Sequence, residues 1–177
     1  MDIRAKHSKE KIINTFWDLR AKKPIEKLTV VELCKKAEVN KSTFYAHFHD
    51  IYDLSDFVEN QLVDEILSEV NIPQHNAFDE EFTINLYNAY YAHREKIWTL
   101  FSGSRSAYLP QKITKSISTF IFSHFPELRQ DERFNIILMF SMYGGFYTSS
   151  ENNNFSRDKI IAVVLELNKY LSELTKK

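Results

Sequence analysis

Apolar residues recur at three- and four-residue spacings along most of the chain, and polar clusters or prolines separate the runs. In "SKEKIINTFWDLRAK" this spacing puts Ile12, Ile13, Phe16, Trp17 and Leu19 mainly on one face, which predicts a helix ended by Pro24. Thr29-Val30-Val31-Glu32 has the form of a capping box, the hydroxyl on an early N–H and Glu32 reaching back. It predicts a second helix packing through Leu33, Cys34, Ala37 and one of Val30 or Val31. A turn at Glu38-Val39-Asn40 leads to a third helix, about Lys41 to Phe48. Asp50 and Asp53 then cap a longer helix reaching about Val70, with Leu54, Phe57, Val58, Leu62 and Ile66 as its apolar positions.

"NIPQHN" predicts a break. Beyond it, Phe82, Leu86, Ala89, Tyr90 and His93 form one stripe of a helix from roughly Asp79 to His93. A short helix follows over Arg94 to Phe101, and another over "PQKITKSISTFIFSHF", between Pro110 and Pro126. "DERFNIILMFSMYGGFYTSS" is apolar almost all round, which predicts burial on more than one side. "ENNN" reads as a loop. The last helix carries Ile160, Val163, Val164, Leu167, Leu171 and Leu174 on one stripe. The pattern is all-α: a three-helix head, a connecting helix and a helical body.

Composition narrows this further. With 3 Gly and 4 Pro in 177 residues, a turn-rich β protein is excluded. The hydrophobic share of 44% provides for a folded core. The single cysteine, Cys34, rules out a disulfide framework and fits a reducing compartment. The longest apolar run, "IIAVVL", is far below the roughly 20 residues of a membrane span, and the polar start "MDIRAKHSKEK" has no apolar signal core. A cytoplasmic protein without membrane contact is the expectation. Gly-rich phosphate loops, nucleophile elbows, His-x-x-x-His spacing and cysteine pairs are absent, so neither an enzyme nor a metal or cofactor site is expected. Charge is uneven: residues 1–50 hold 11 Lys/Arg against 7 Asp/Glu, whereas residues 51–177 hold 12 against 17. A basic first part on an acidic remainder points one end of the molecule at a polyanion.

The third helix gives that idea chemistry. At 100° per residue Phe44 and Phe48 share one face, and Ser42, Thr43 and Ala46 lie opposite, flanked by Tyr45 and His47 with Lys41 at the start. A small-residue face lets a helix enter a DNA major groove about 12 Å wide. Lys41 can donate to guanine, Ser42 and Thr43 can bond base edges, and Ala46 can touch a thymine methyl. Tyr45, His47 and, at the second helix's N-terminus, Thr29 can reach phosphates. A plain packing helix with two Phe is the other reading.

Taken together, "KEKIINTFWDLRAKKPIEKLTVVELCKKAEVNKSTFYAHFHDIYDLSDFVENQL", about residues 8–62, resembles the DNA-binding head of the TetR family of transcriptional regulators. The resemblance implies a homodimer whose heads, residues 1–50, read a palindromic operator in double-stranded DNA. A connecting helix of about 51–70 joins each head to a ligand-binding and dimerisation domain, 71–177. It implies DNA contacts at Thr29, Lys41, Ser42, Thr43, Tyr45 and His47. Glu38 stands where the family usually has Gly, which predicts a non-Gly residue at positive φ. Ile51 replaces a common phosphate-binding Lys, and His49 a frequent cation, so His47 and His49 carry more of the anchoring. The implied function is sequence-specific regulation, most often repression, modulated by a small-molecule effector. The alternative is an effector-less DNA-binding protein or co-regulator controlled by a protein partner, as in some members of the Firmicute-type branch that the C-terminal pattern resembles.

In the body, aromatics are dense between residues 78 and 147. Tyr90, His93, Trp98, Phe101, Phe120 and Tyr143 are candidates for an effector cavity, with ordinary bundle packing as the other reading. Arg94 and Arg105 would either neutralise an anionic effector or be solvated. Gly144-Gly145 costs a helix about 1 kcal/mol per Gly, which suggests a second helix close by. With Val164, Leu167 and Leu171 they make a candidate interface, resembling the four-helix dimer contact of the family.

Overall fold

The computed structural model describes residues 3–73, 76–149 and 154–175. Among these there is no strand, and the all-α reading holds. The breaks read at "NIPQHN" and "ENNN" fall partly outside the described residues, at 74–75 and 151–153. By contacts the chain forms two compact units: Met1–Leu62 with Arg94–Leu109, and Val63–His93 with Pro110–Lys177. The segment 94–109, which sequence order puts in the C-terminal part, thus groups with the N-terminal unit.

In the first unit, α1 (Ile3–Arg20) buries Ile12, Thr15, Phe16 and Leu19, a spacing that keeps one face inward. Pro24 precedes a 3-10 turn, Ile25–Lys27, whose Ile25 is buried. Thr29 caps α2 (Val30–Ala37), its Oγ1 accepting from the Glu32 N–H at 3.2 Å. Glu32 does not complete the box: its carboxylate accepts from Lys23 Nζ at 2.7 Å, an ion pair that outcompetes the reach back to Thr29. α2 closes through Glu38 at φ 55, with the N–H groups of Glu38 and Val39 both donating to the Cys34 carbonyl. Positive φ at a non-Gly residue is as the sequence predicts.

The third helix is shorter than expected. α3 covers Lys41–Tyr45, because beyond it the His47 N–H bonds the Phe44 carbonyl, three residues back, and the chain is already committed to the next cap. There Asp50 Oδ1 accepts from the Tyr52 and Asp53 N–H groups, and Asp53 Oδ2 accepts from the His49 N–H, each at 2.8 Å. This reciprocal cap starts α4 (Ile51–Ser68), and the boundary between the units falls within that helix.

α6 (Arg94–Leu100) and a 3-10 turn, Gly103–Tyr108, are tied to the first unit by two buried arginines. Arg20 donates to the carbonyls of Lys23 and Leu100 and to Ser102 Oγ. Arg105 was read as an effector partner or a solvated cation and is neither: it donates to both oxygens of Glu59, at 2.8 and 2.6 Å, and to Asp56. Glu59 is fully buried and also accepts from Ser55 Oγ. Burial alone would lower the Arg105 pKa, but the hydrogen bonds and charge of Glu59, then Asp56, hold it above its ordinary value.

In the second unit, Asp79 caps α5 (Glu80–Ala92), accepting from the Phe82 N–H at 3.1 Å, and His93 closes it. α7 (Leu109–His124), α8 (Glu132–Ser149) and α9 (Arg157–Leu174) complete the unit. Its core includes Phe78, Phe82, Ile117, Ile121, Phe134 and Leu138, with Phe82 stacked on Phe120 at an interplanar angle of 7°. α8 departs from expectation. Phe134 and Leu138 are buried, but Ile136, Met139, Phe140 and Tyr147 are exposed, so one apolar side of this helix has no cover among the described residues.

Candidate functional site

Phe44 and Phe48 are buried with α1, α2 and α4 contributing Phe16, Leu33 and Leu54 to the same core. The pair fixes which side of α3 faces out. Lys41, Ser42, Tyr45 and Ala46 are exposed, and Thr43 is half-buried. Thr29 is exposed at the N-terminus of α2, with its hydroxyl oxygen already accepting the cap bond, so its O–H remains a donor. His49 is exposed beside the α4 cap. His47 differs from the others: it is half-buried, with Nε2 3.2 Å from Ser8 Oγ of α1, so one ring nitrogen is engaged within the protein. Cys34 is buried, and burial pushes its thiol pKa up. α3 therefore offers a small, polar, cation-tipped face that the protein itself leaves open.

The second unit contains a cavity of about 100 Å³. Phe78, Phe82, Tyr87, Tyr90, Met142 and Phe146 are among its lining side chains. Of the six candidates named from sequence, Tyr90 lines it. His93 does not, because as the residue closing α5 it turns to α4, with Nε2 2.9 Å from Glu69 and Nδ1 3.9 Å from Glu65. Ligand-type atoms of these three residues lie within 4.8 Å of one another. Phe120 packs on Phe82 outside the lining, Tyr143 is half-buried away from it, and Trp98 and Phe101 belong to the other unit.

The two glycines also separate. A Cβ on Gly145 would meet Tyr87 Oη at 2.8 Å, so the close approach inferred from sequence is to α5 of the same chain. A Cβ on Gly144 would meet nothing within 4 Å. Val164 lines the cavity with Gly145, whereas Leu167 is exposed and Leu171 half-buried. Ile136, Met139, Phe140 and Tyr147 of α8 are exposed, as are Val163, Leu167, Tyr170 and Leu174 of α9. The residue missed from sequence is Asn168, buried on α9; Tyr87, one of the aromatics dense between residues 78 and 147, has its hydroxyl pKa raised by burial.

A crystal structure of a transcriptional regulator of the TetR/AcrR family from Aquifex aeolicus VF5 superposes with a TM-score of 0.52, over 93% of this chain and 99% of that one. The chain has the TetR/AcrR-type fold. At 20% identity the likeness is one of fold. No family model and no curated protein matches the sequence. No helix among the described residues is long and apolar enough to cross a membrane.

Proposed function

We propose that the protein is a sequence-specific DNA-binding transcriptional regulator that acts as a homodimer on a palindromic operator, as a repressor, in the cytoplasm and on the nucleoid. The observation that carries this reading is the open face of α3, with Lys41, Ser42, Tyr45 and Ala46 outward and Phe44 and Phe48 buried beneath. In the proposed complex Lys41, Ser42 and Thr43 read base edges, and Thr29, Tyr45 and His49 hold phosphates. His47 contributes through its remaining ring nitrogen. The fold's likeness to a transcriptional regulator supports the same reading.

Dimerisation rests on the apolar face of α8 and α9. Phe140 is 76% and Leu167 54% exposed, and both recur in stripes spaced as on one helix side. The second unit's cavity is the proposed effector site, and it favours a ligand-controlled regulator over an effector-less one. Selection of bound duplexes from a random pool tests the proposal. It should return an inverted repeat, and K41A should relax preference at one position per half-site. Failure to enrich any motif at low salt would refute it.

A further inference from the structure

The cavity's polarity says more about its ligand than its size does. Among the described residues its lining holds no Asp, Glu, Lys, Arg or His. Most of its hydroxyls are already spent within the protein: Ser141 Oγ donates to the Ile137 carbonyl at 2.8 Å and Ser149 Oγ to the Gly145 carbonyl at 2.7 Å. Thr83 Oγ1 donates to the Asp79 carbonyl at 2.9 Å. Having one hydrogen, Thr83 then has only acceptor capacity to offer Asn168, whose nitrogen lies 3.0 Å away. That bond fixes the amide orientation: Nδ2 faces Thr83, and Oδ1 faces elsewhere. Asn168 is 9% exposed; its Oδ1 has no donor among the described residues yet keeps some accessible surface, Arg20 Nε being the one fully enclosed side-chain atom there without a partner. The open space that Asn168 borders is the cavity.

We infer that the cavity selects an uncharged, largely apolar small molecule presenting one O–H or N–H donor to Asn168 Oδ1. This rests on the reading of the cavity as an effector site. A ligand that supplies a donor to this oxygen, within a lining that is otherwise apolar, is favoured over an isostere that does not. A carboxylate or ammonium headgroup would lose its hydration with no counter-charge to receive it. The Gly145–Tyr87 contact sets the room available, since any side chain at 145 displaces the Tyr87 ring that lines the space.

Calorimetric titration of the full-length protein with four compounds of matched size tests the inference: 1-octanol, its isomer 1-methoxyheptane, octanoate and octylammonium. The alcohol should bind about tenfold tighter than the ether, which lacks the donor. Both ions should bind at least about a hundredfold more weakly than the alcohol. Asn168→Leu should bring the alcohol-to-ether ratio to about 1, whereas Gly145→Ala should weaken all binding and leave the ratio unchanged. If either ion matches the alcohol, or Asn168→Leu keeps the ratio, the inference is wrong and the cavity remains an effector site. If none of the four binds, the effector reading falls with it.

Discussion

Glu38 sits in the left-handed region at φ 55, at the turn between α2 and α3. Its side chain is exposed, so the strain is not offset by packing. Glu38→Gly should raise stability by about 0.5–1 kcal/mol in urea unfolding, relief of the strain exceeding glycine's extra chain entropy. The Arg105–Glu59 pair is the opposite case. Removing one member leaves the other charged and buried, so Glu59→Ala should cost about 3–5 kcal/mol, and replacing both residues by Met should recover most of it. Thermal unfolding of the single and double variants checks this; equal loss in the two would contradict it. The pair was not legible in the sequence, because its partners are 46 positions apart and no local pattern links them. The cap residues Thr29 and Asp50 were legible, since each acts within three residues of itself. Gly145 was half legible. Its need for close approach follows from its type, but adjacent helical positions point about 100° apart, so only the structure shows that it faces Tyr87 while Gly144 faces outward.

At the scale of elements, the two 3-10 turns of the first unit are joined by one carboxylate. Glu26 Oε1 accepts from the Ser104 N–H at 3.0 Å, next to Gly103 at φ +65. The Ser104 hydroxyl first, then the backbone N–H groups of Glu26 and Ser104, hold the Glu26 pKa at about 2, below its ordinary 4.5. A lowered carboxylate pKa stabilises the fold above the unfolded value and ceases to do so as pH falls through the folded one. Its contribution to stability should therefore be complete above pH 4.5 and be lost as pH falls through about 2. The Ser104 amide shift in the folded protein, followed by NMR, should show a transition centred at about pH 2, and Glu26→Gln should abolish it. The helices themselves were legible because long periodic runs outweigh other local signals. The end of α3 was not: Phe48 keeps the helical apolar spacing although the backbone has already turned toward the α4 cap.

For the whole molecule, the apolar side of α8 is the feature that most needs a partner. A helix apolar all round is normally buried all round, and here the missing cover is proposed to be a second copy. Phe140→Asp combined with Leu167→Asp should convert the protein to a monomer in sedimentation experiments. It should also weaken operator binding steeply, because each head alone reads only a half-site. In the proposed complex α3 enters the major groove by its small face. Ala46 is exposed, so Ala46→Asp should leave the fold intact and put a carboxylate against the bases. Fluorescence anisotropy with the selected duplex should show at least about a hundredfold loss of affinity for this variant at an unchanged melting temperature. Undiminished binding would mean that DNA, if bound at all, is held by some other surface.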